Sequence, residues 1–564
     1  MAWRIIVGLK DGISDPRGER VKRDIRDHLG ITLDRVRTLD VYTVDARLDE
    51  SAVIAAAAGP FSDPVIQEYA VNRPLAHDFD VLIEVGYRPG VTDNVGRTAR
   101  EAIEYQAGRA FSPGEAVYTS VQYLLSGSLT VEEAERVARD LLANQLIQRW
   151  TIVPAAAFDR ERGVPVTVPK VAVSNQLSEV REICLNVSDA ELMQISRDGM
   201  LALTLEEMKT IQAYYLDDDV IAARQKVGLG ASPTDAELEA LAQTWSEHCK
   251  HKIFAALIDY EDSTTGEKRQ IDSLFKSYIM RATKEIRERA GASDICLSVF
   301  KDNAGVIRFT DDWSIVFKVE THNSPSALDP YGGALTGIVG VNRDSFGTGL
   351  GARLMFNTDV FCFASPFYDQ PLPPRLLHPR RIFEGVVEGV EHGGNKSGIP
   401  TVNGSIVFDE RFAGKPLVYC GTGSIMPKRL ADGRLCHEKQ AQVGDHIVMV
   451  GGRIGKDGIH GATFSSEELH EGSPVTAVQI GDPITQKRMF DFLLIARDRG
   501  LYHAITDNGA GGLSSSVGEM AEDTGGFELH LDRAPLKYPG LEPWEILISE
   551  AQERMTLAVP PDQP

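Results

Sequence analysis

Near its start the chain repeats itself, and the repeat limits the folds open to it. Val7-Gly8-Leu9-Lys10-Asp11-Gly12-Ile13-Ser14-Asp15-Pro16-Arg17-Gly18 lines up with Val85-Gly86-Tyr87-Arg88-Pro89-Gly90-Val91-Thr92-Asp93-Asn94-Val95-Gly96 at an offset of 78 residues. A valine, a basic residue and glycine and aspartate punctuation recur in place. Each copy reads as a strand, a Gly-containing turn and an amphipathic helix, Gly18 to Leu29 and Gly96 to Gln106. Two like α+β units in tandem have a natural packing about a pseudo-two-fold axis.

The length of 564 residues suggests three or four domains. Acidic residues outnumber basic ones, 81 to 59, for a net charge of −22. That balance disfavours nucleic acid or an anionic membrane as the main partner. An anionic small substrate then needs local cations or a metal. No apolar run approaches the roughly 20 residues of a membrane helix, and the apolar stretch before Lys10 and Asp11 is too short for a signal peptide. Cysteines 184, 249, 296, 362, 420 and 436 are scattered without a Cys-x-x-Cys, which reads as reduced thiols in a cytoplasmic protein.

Beyond the repeat, Arg160 to Pro165 reads as a linker, and Ser188 to Met200 and Leu205 to Leu216 as helices. Thr234 and Glu237 form a capping box. The helix they start is predicted to carry Leu238, Leu241, Ala242, Trp245 and Cys249 on one stripe, with His248 and His251 on its flank. Residues 295–425 alternate strand-like runs with Gly-rich turns, with a clear helix signal only at Pro379 to His392. From Val443 strands and helices alternate, with Asp482 and Pro483 opening a helix to Arg499. The last strand, Arg554 to Val559, lies just before Pro564, so the domain that holds it is expected to continue.

Chemistry concentrates in a few places. In Ser314 to Pro325, Ile315, Phe317 and Val319 share one face of a strand, while Lys318, Glu320 and His322 share the other at intervals of about 7 Å. In Ile505 to Leu513 a strand ends at Asp507 and glycines lead into a helix, a phosphate-cradle pattern that a plain strand-to-helix turn explains equally well. Asn342 to Arg353 offers Arg343 as a phosphate fork and Asp344 as a hard oxygen ligand, or simply a solvated turn ion pair. Neither Gly393 to Pro400 nor Gly451 to Asp457 has Walker A spacing, and no dinucleotide fingerprint follows a strand. His248-Cys249-Lys250-His251 lacks the second ligand pair of a structural zinc site. Cys420 sits in an apolar run and reads as a buried structural thiol. Glu320, Asp344 and Asp507, each read in a glycine-flanked turn, suit Mg²⁺, Lys318 and Arg343 suit nucleotide phosphates, and His322 and His248 are the acid/base candidates. This is a phosphoryl-transfer inventory.

Trp245-Ser246-Glu247-His248-Cys249-Lys250-His251-Lys252, Glu320-Thr321-His322-Asn323-Ser324-Pro325, Gln479-Ile480-Gly481-Asp482-Pro483 and Ile548 to Met555 together resemble phosphoribosylformylglycinamidine synthase, synthetase subunit. The similarity covers about 230–564, and the N-terminal repeat resembles the small companion subunit, duplicated and fused. The resemblance implies an α+β chain: a tandem ferredoxin-like repeat (1–80 and 81–155), a helical linker (156–232), an AIR-synthetase-like N-terminal domain (233–428) and an incomplete AIR-synthetase-like C-terminal α/β domain (429–564). It implies ATP-dependent conversion of formylglycinamide ribonucleotide and ammonia to the amidine, with ATP as co-substrate and Mg²⁺. By position, His248 and His322 match catalytic residues. His251 and Lys318 match ATP contacts, and Glu320, Asp344 and Asp507 match magnesium ligands. Thr321, His322, Asn323, Ser324, Arg343, Gln479, Glu550, Ala551 and Gln552 match substrate contacts. His251 stands where many members carry tyrosine, and Ser324 replaces a frequent second histidine. The second synthetase half and a glutaminase domain are missing from the sequence, so the expected partners are a glutaminase subunit and a second half in trans. The alternatives are a non-catalytic half-site subunit or another ATP-dependent enzyme of the same superfamily.

Overall fold

A computed structural model describes residues 2–112, 114–144, 148–170, 180–373, 376–456, 458–461 and 481–563. The chain divides into two compact units, Met1–Val173 and Ser174–Pro564.

The first unit is built from β1 (Trp3–Leu9), α1 (Pro16–Leu29), β2 (Arg35–Asp45), α2 (Glu50–Ala58), β3 (Gln67–Val71), β4 (Val81–Tyr87), α3 (Asn94–Ala107), β5 (Ala116–Ser126), α4 (Val131–Val137) and β6 (Gln148–Pro154). Its sheet runs β3-β1-β2-β5-β4-β6, so the two copies meet at β2 and β5. These pair antiparallel from Arg35 opposite Ser126 to Asp45 opposite Ala116. The repeated aspartates earn their conservation between the copies. Asp15 caps α1 by accepting from Gly18 N (2.9 Å) and also accepts from Thr38 N (2.6 Å). Asp93 does the same with Gly96 N (2.7 Å) and Thr119 N (2.6 Å). A Cβ on Gly18 would strike Val36 O, and one on Gly96 would strike Val117 O, so each helix lies against its sheet only through glycine. One buried pair crosses between the copies: Arg4 on β1 binds Glu84 on β4, which also accepts from Ser120 Oγ (2.7 Å) and Gln122 Nε2 (2.9 Å).

The second unit opens with α5 (Asp189–Asp198), α6 (Leu205–Tyr215), α7 (Asp218–Lys226) and α8 (Asp235–Thr244). Leu192, Leu203, Met208, Ile211, Leu238 and Ala242 share one core. The stripe predicted through Cys249 does not run as one helix. α8 ends at Trp245, Ser246 caps a new short helix α9 (Glu247–Lys250), and His251 at φ +52° turns the chain into α10 (Lys252–Ala255). A serine hydroxyl that accepts from Cys249 N (3.2 Å) competes here with helix continuation.

Next come the hairpin β7 (Leu257–Glu261) and β8 (Lys268–Asp272), α11 (Arg281–Ala290), β9 (Cys296–Ser298), β10 (Gly305–Arg308), β11 (Trp313–Thr321), α12 (Asn323–Leu328), α13 (Pro330–Phe346), β12 (Arg353–Phe363), α14 (Pro379–Ser397), β13 (Thr401–Phe408) and β14 (Leu417–Pro427). Their six-stranded sheet runs β13-β12-β14-β11-β10-β9, with β12 and β13 parallel. Asp344 was expected in a glycine-flanked turn. It lies instead near the end of α13, a buried helix containing Gly332, Gly333, Gly337 and Gly340. Those glycines admit neighbours: a Cβ on Gly333 would meet the Ser326 backbone at 2.5 Å, and one on Gly337 would meet His322 Cβ at 3.0 Å. Packing overrides the poor helix propensity of glycine.

The C-terminal part comprises β15 (His446–Gly451), α15 (Pro483–Asp498), β16 (Ala504–Asp507), α16 (Gly512–Ala521), α17 (Pro543–Ile548) and β17 (Arg554–Val559), with strand order β15-β17-β16. One core joins it to the larger sheet, with Phe346 of α13 stacked on Phe490 of α15 at 3.9 Å. Among the described residues, no helix is long and apolar enough to cross a membrane.

A polar row crosses the larger sheet beneath its helices. Glu320 on β11 opposes Cys420 on β14, which opposes Asp359 on β12. Burial pushes the Cys420 thiol well above its ordinary value, as suits a structural residue. Burial also raises the Asp359 carboxyl to about 6, against hydrogen bonds from Thr401 and others.

Two stability tests follow from these packings. Gly96→Ala, which drives a methyl into Val117 O, is expected to cost about 1–3 kcal/mol in denaturant unfolding of the full chain. Asp359 holds its proton more tightly folded than unfolded, so its contribution is present below about pH 4 and is lost as pH rises through about 6. Asp359→Asn should therefore flatten the pH dependence of stability and leave the variant about 2–3 kcal/mol less penalised at pH 8.

Candidate active site

The polar face of β11 turns inward, towards α13, while Phe317 and Val319 on the other face stay 43% and 48% exposed. Lys318 Nζ lies 3.1 Å from Glu320 Oε2 and 3.3 Å from Asp344 Oδ2. Arg343 Nη2 continues the chain of charges, 2.9 Å from Asp344 Oδ1 and 3.0 Å from Asp507 Oδ1. Asp507 sits at the end of β16, where it accepts from Gly509 N (2.8 Å) and Asn303 Nδ2 (2.6 Å). Gly509 lies close against this pair, since a Cβ there would come within 2.5 Å of Arg343 Nη2 and displace the guanidinium. Carboxylates from β11, α13 and β16 thus alternate with two cations. They do not form a preassembled metal cage; among the described residues no group of three His, Cys, Asp or Glu does.

The electrostatics follow from this crowding. Burial favours the neutral Asp344 carboxyl and raises its pKa, against the pull of Arg343. Burial works against the Lys318 ammonium, yet Asp344 and Glu320 hold its pKa above the ordinary value. His322, just past β11, donates its backbone N–H to Val418 O (2.9 Å). Burial drops its imidazole to about 4, against Glu320, so the ring is neutral at pH 7. His248 on α9 keeps contact with solvent, but the atoms packed round its ring lower its pKa, with Glu320 opposing and His251, Lys318 and Arg343 adding to the effect. Both imidazoles therefore sense the same carboxylate and the same guanidinium.

The other predicted positions fall around this centre. His251 lies beside His248 at the α9–α10 junction. Thr321 ends β11, Asn323 accepts from Val418 N (2.8 Å) through Oδ1, and Ser324 is buried in α12. Glu550, Ala551 and Gln552 are buried between α17 and β17. Ala551 O receives Arg343 Nη1 at 3.4 Å, and Gly511 N reaches Glu550 Oε1 at 3.3 Å. Gln479 lies outside the described residues. Sequence reading missed Asn303, which sits 204 residues from its partner in an unremarkable Lys-Asp-Asn-Ala turn. It also missed Glu519, whose carboxyl is pushed up to about 7 by the atoms packed around it and by Asp507, against a hydrogen bond from Thr506. A cavity of about 650 Å³ bordered by β15, α16 and residues 527–535 contains none of the site residues.

Four family models match the chain: phosphoribosylformylglycinamidine (FGAM) synthase, PurS, over residues 2–74; the formylglycinamide ribonucleotide amidotransferase linker domain over 192–252; and the N- and C-terminal domains of AIR synthase related proteins over 301–425 and 442–564. The phosphoribosylformylglycinamidine synthase subunit PurL of Thermoplasma volcanium is 36% identical over 386 residues, 67% of this chain and 44% of that protein. The chain is a PurL relative carrying a PurS-like region. PurL of Thermotoga maritima is likewise 36% identical, over 60% of this chain and 47% of its own length. The chain thus spans about half the length of the curated PurL proteins it matches. A solved structure of T. maritima PurL complexed with FGAR aligns with a TM-score of 0.44 and 33% identity, covering 61% of this chain and 48% of that one. The PurS model stops at residue 74, but the structure repeats the same strand and cap geometry through β4, α3 and β5.

Arg343 is the cation shared by Asp344 and Asp507, and removing it leaves Asp507 without its ion-pair partner and Asp344 with Lys318 alone. Arg343→Met is expected to destabilise the second unit by about 3–5 kcal/mol, read by denaturant titration.

Proposed function

We propose that this chain is the formylglycinamide ribonucleotide-binding half of an ATP-dependent C–N ligase that makes formylglycinamidine ribonucleotide in purine biosynthesis. The observation that carries the reading is the chain of charges from Glu320 through Lys318, Asp344 and Arg343 to Asp507, with a neutral His322 beside it. Curated PurL proteins, which bear this synthase name, match over 67% of the chain.

An amide oxygen is a poor leaving group until it is phosphorylated. In this reading the amide oxygen attacks the γ-phosphorus of ATP, the P–O bond to ADP breaks, the amide N–H gives up its proton to solvent, and an iminophosphate forms. Ammonia then adds to the imidoyl carbon, the C–O bond breaks, and phosphate leaves with both bonding electrons. Lys318 and Arg343 neutralise transferring phosphate charge, and Lys318 with His251 contacts ATP. Thr321, Asn323, Ser324, Arg343, Gln479 and Glu550 to Gln552 hold the ribonucleotide. His322 accepts the proton released by the attacking ammonia, a role that suits an imidazole held neutral at pH 7. His248 faces the same centre as the second acid/base group.

The donor set fits Mg²⁺: hard carboxylate oxygens from Glu320, Asp344 and Asp507, few enough to leave positions for phosphate. When bound, the ion would supply charge to the phosphates, and Lys318 and Arg343 pair with the same carboxylates. The glutaminase that releases ammonia is a separate subunit in this reading, and the setting is the cytoplasm. The exposed face of the larger sheet, with Trp313, Phe317, Val319, Val360 and Val407, supports pairing with a second synthetase half in trans. The unit limits 1–80, 81–155, 156–232, 233–428 and 429–564 belong to the same proposal.

The test is ADP and amidine formation from ATP, Mg²⁺, the ribonucleotide and ammonium salt, with and without partner subunits. Turnover is expected only with a second half present. His322→Ala should lower it by about 100-fold or more, and Glu320→Gln should raise the Mg²⁺ concentration needed for half-maximal rate. Near-normal turnover in His322→Ala would remove its role as base, and an unchanged magnesium titration would count against the metal assignment.

A further inference from the structure

The segment after β15 is not used by the chemistry above, yet it holds a buried acid–imidazole pair. His460 is 3% exposed, and its Nε2 lies 3.0 Å from Glu239 Oε2. Glu239 is itself buried, in the middle of α8. The His460 ring also lies nearly parallel to Trp544 of α17, with centroids 5.9 Å apart and an interplanar angle of 20°. Its Nδ1 is buried without a hydrogen-bond partner among the described residues, and Glu239 and Trp544 orient the ring. The backbone at His460 takes φ +60°, a conformation uncommon for a residue with a Cβ. A non-glycine residue is kept in that conformation only where its surroundings hold it.

What the pair connects gives it meaning. α8 leads through Trp245 and Ser246 directly to His248. α17 leads directly to Ser549, Glu550, Ala551 and Gln552. Gly458, two residues before His460, lies against Glu550, whose Cβ would be 2.7 Å from a Cβ built there. Upstream, Gly452 N donates to Glu553 O (2.9 Å), and Lys456 Nζ pairs with Glu545 on α17 (2.7 Å). Three segments far apart in sequence therefore meet at one buried imidazole, and two of them carry residues of the candidate site.

We propose that His460 is a positioning residue: clamped between Glu239 and Trp544, it fixes the His248 segment relative to the Glu550–Gln552 segment. The proposal deepens the ligase reading and rests on it for its kinetic arm. It requires a donor at residue 460 and an acceptor at residue 239, not merely two side chains of suitable volume.

The experiment compares His460→Leu and Glu239→Leu with His460→Gln, which keeps a donor, and Glu239→Gln, which keeps an acceptor. In the reconstituted enzyme with ammonium as nitrogen source, each Leu variant is expected to raise KM for the ribonucleotide about tenfold, with a smaller change in kcat. Each Gln variant should stay within about twofold of the parent, and the double Leu variant should be no worse than either single one. Gln variants as impaired as the Leu variants, or Leu variants with unchanged KM, would overturn the proposal. Amide hydrogen exchange on the full chain decides it without turnover. Faster exchange confined to residues 247–252 and 549–553 in the Leu variants supports the clamp, whereas unchanged exchange there, or a uniform rise across the second unit, overturns it. A parent enzyme with no turnover would sink the ligase reading while the exchange comparison still stands.

Discussion

Arg343 joins the two halves of the second unit. It rises from the last turns of α13, pairs with Asp344 beside it, and reaches Asp507 on β16 and the Ala551 carbonyl before β17. A guanidinium suits this place because its planar fork serves several acceptors at once and stays charged when buried. Desolvating it is costly, and flanking carboxylates offset that cost. The arrangement leaves Lys318 to serve Glu320 and the far oxygen of Asp344. The larger sheet and the smaller one are thus held in register by the same groups that would meet phosphate and metal, so stability and chemistry share one set of charges.

Much of this site was legible in the sequence because strands project side chains with a period of two. Lys318, Glu320 and His322 had to share a face, and the structure places that face against α13. Asp507 was legible as a strand end followed by glycines. Asp344 was found but misplaced in a turn. Glycines that normally interrupt helices are here the reason α13 can pass close to His322, Ser326 and Gln552. A single sequence carries no mark that separates these two uses of glycine. Asn303 left no signal at all, since its partner comes from a strand placed by long-range packing.

The N-terminal repeat was legible for the opposite reason. Its glycines and aspartates answer local needs, a cap and a close helix-to-strand approach, so they recur at a fixed spacing. The helix break at Ser246 was missed although its cause is also local. A serine within an apolar stripe reads as part of the stripe until its hydroxyl is seen to cap the next turn. That break gives His248 its own short helix.

The Arg4–Glu84 pair makes the two copies non-equivalent. Shifting by 78 residues puts Leu82 at the place matching Arg4 and Ile6 at the place matching Glu84. Neither copy contains both charges, so neither could build this contact by self-association. The two linked copies are therefore a left and a right partner that are not interchangeable, and a homodimer of either one alone would bury an arginine or a glutamate with nothing opposite it.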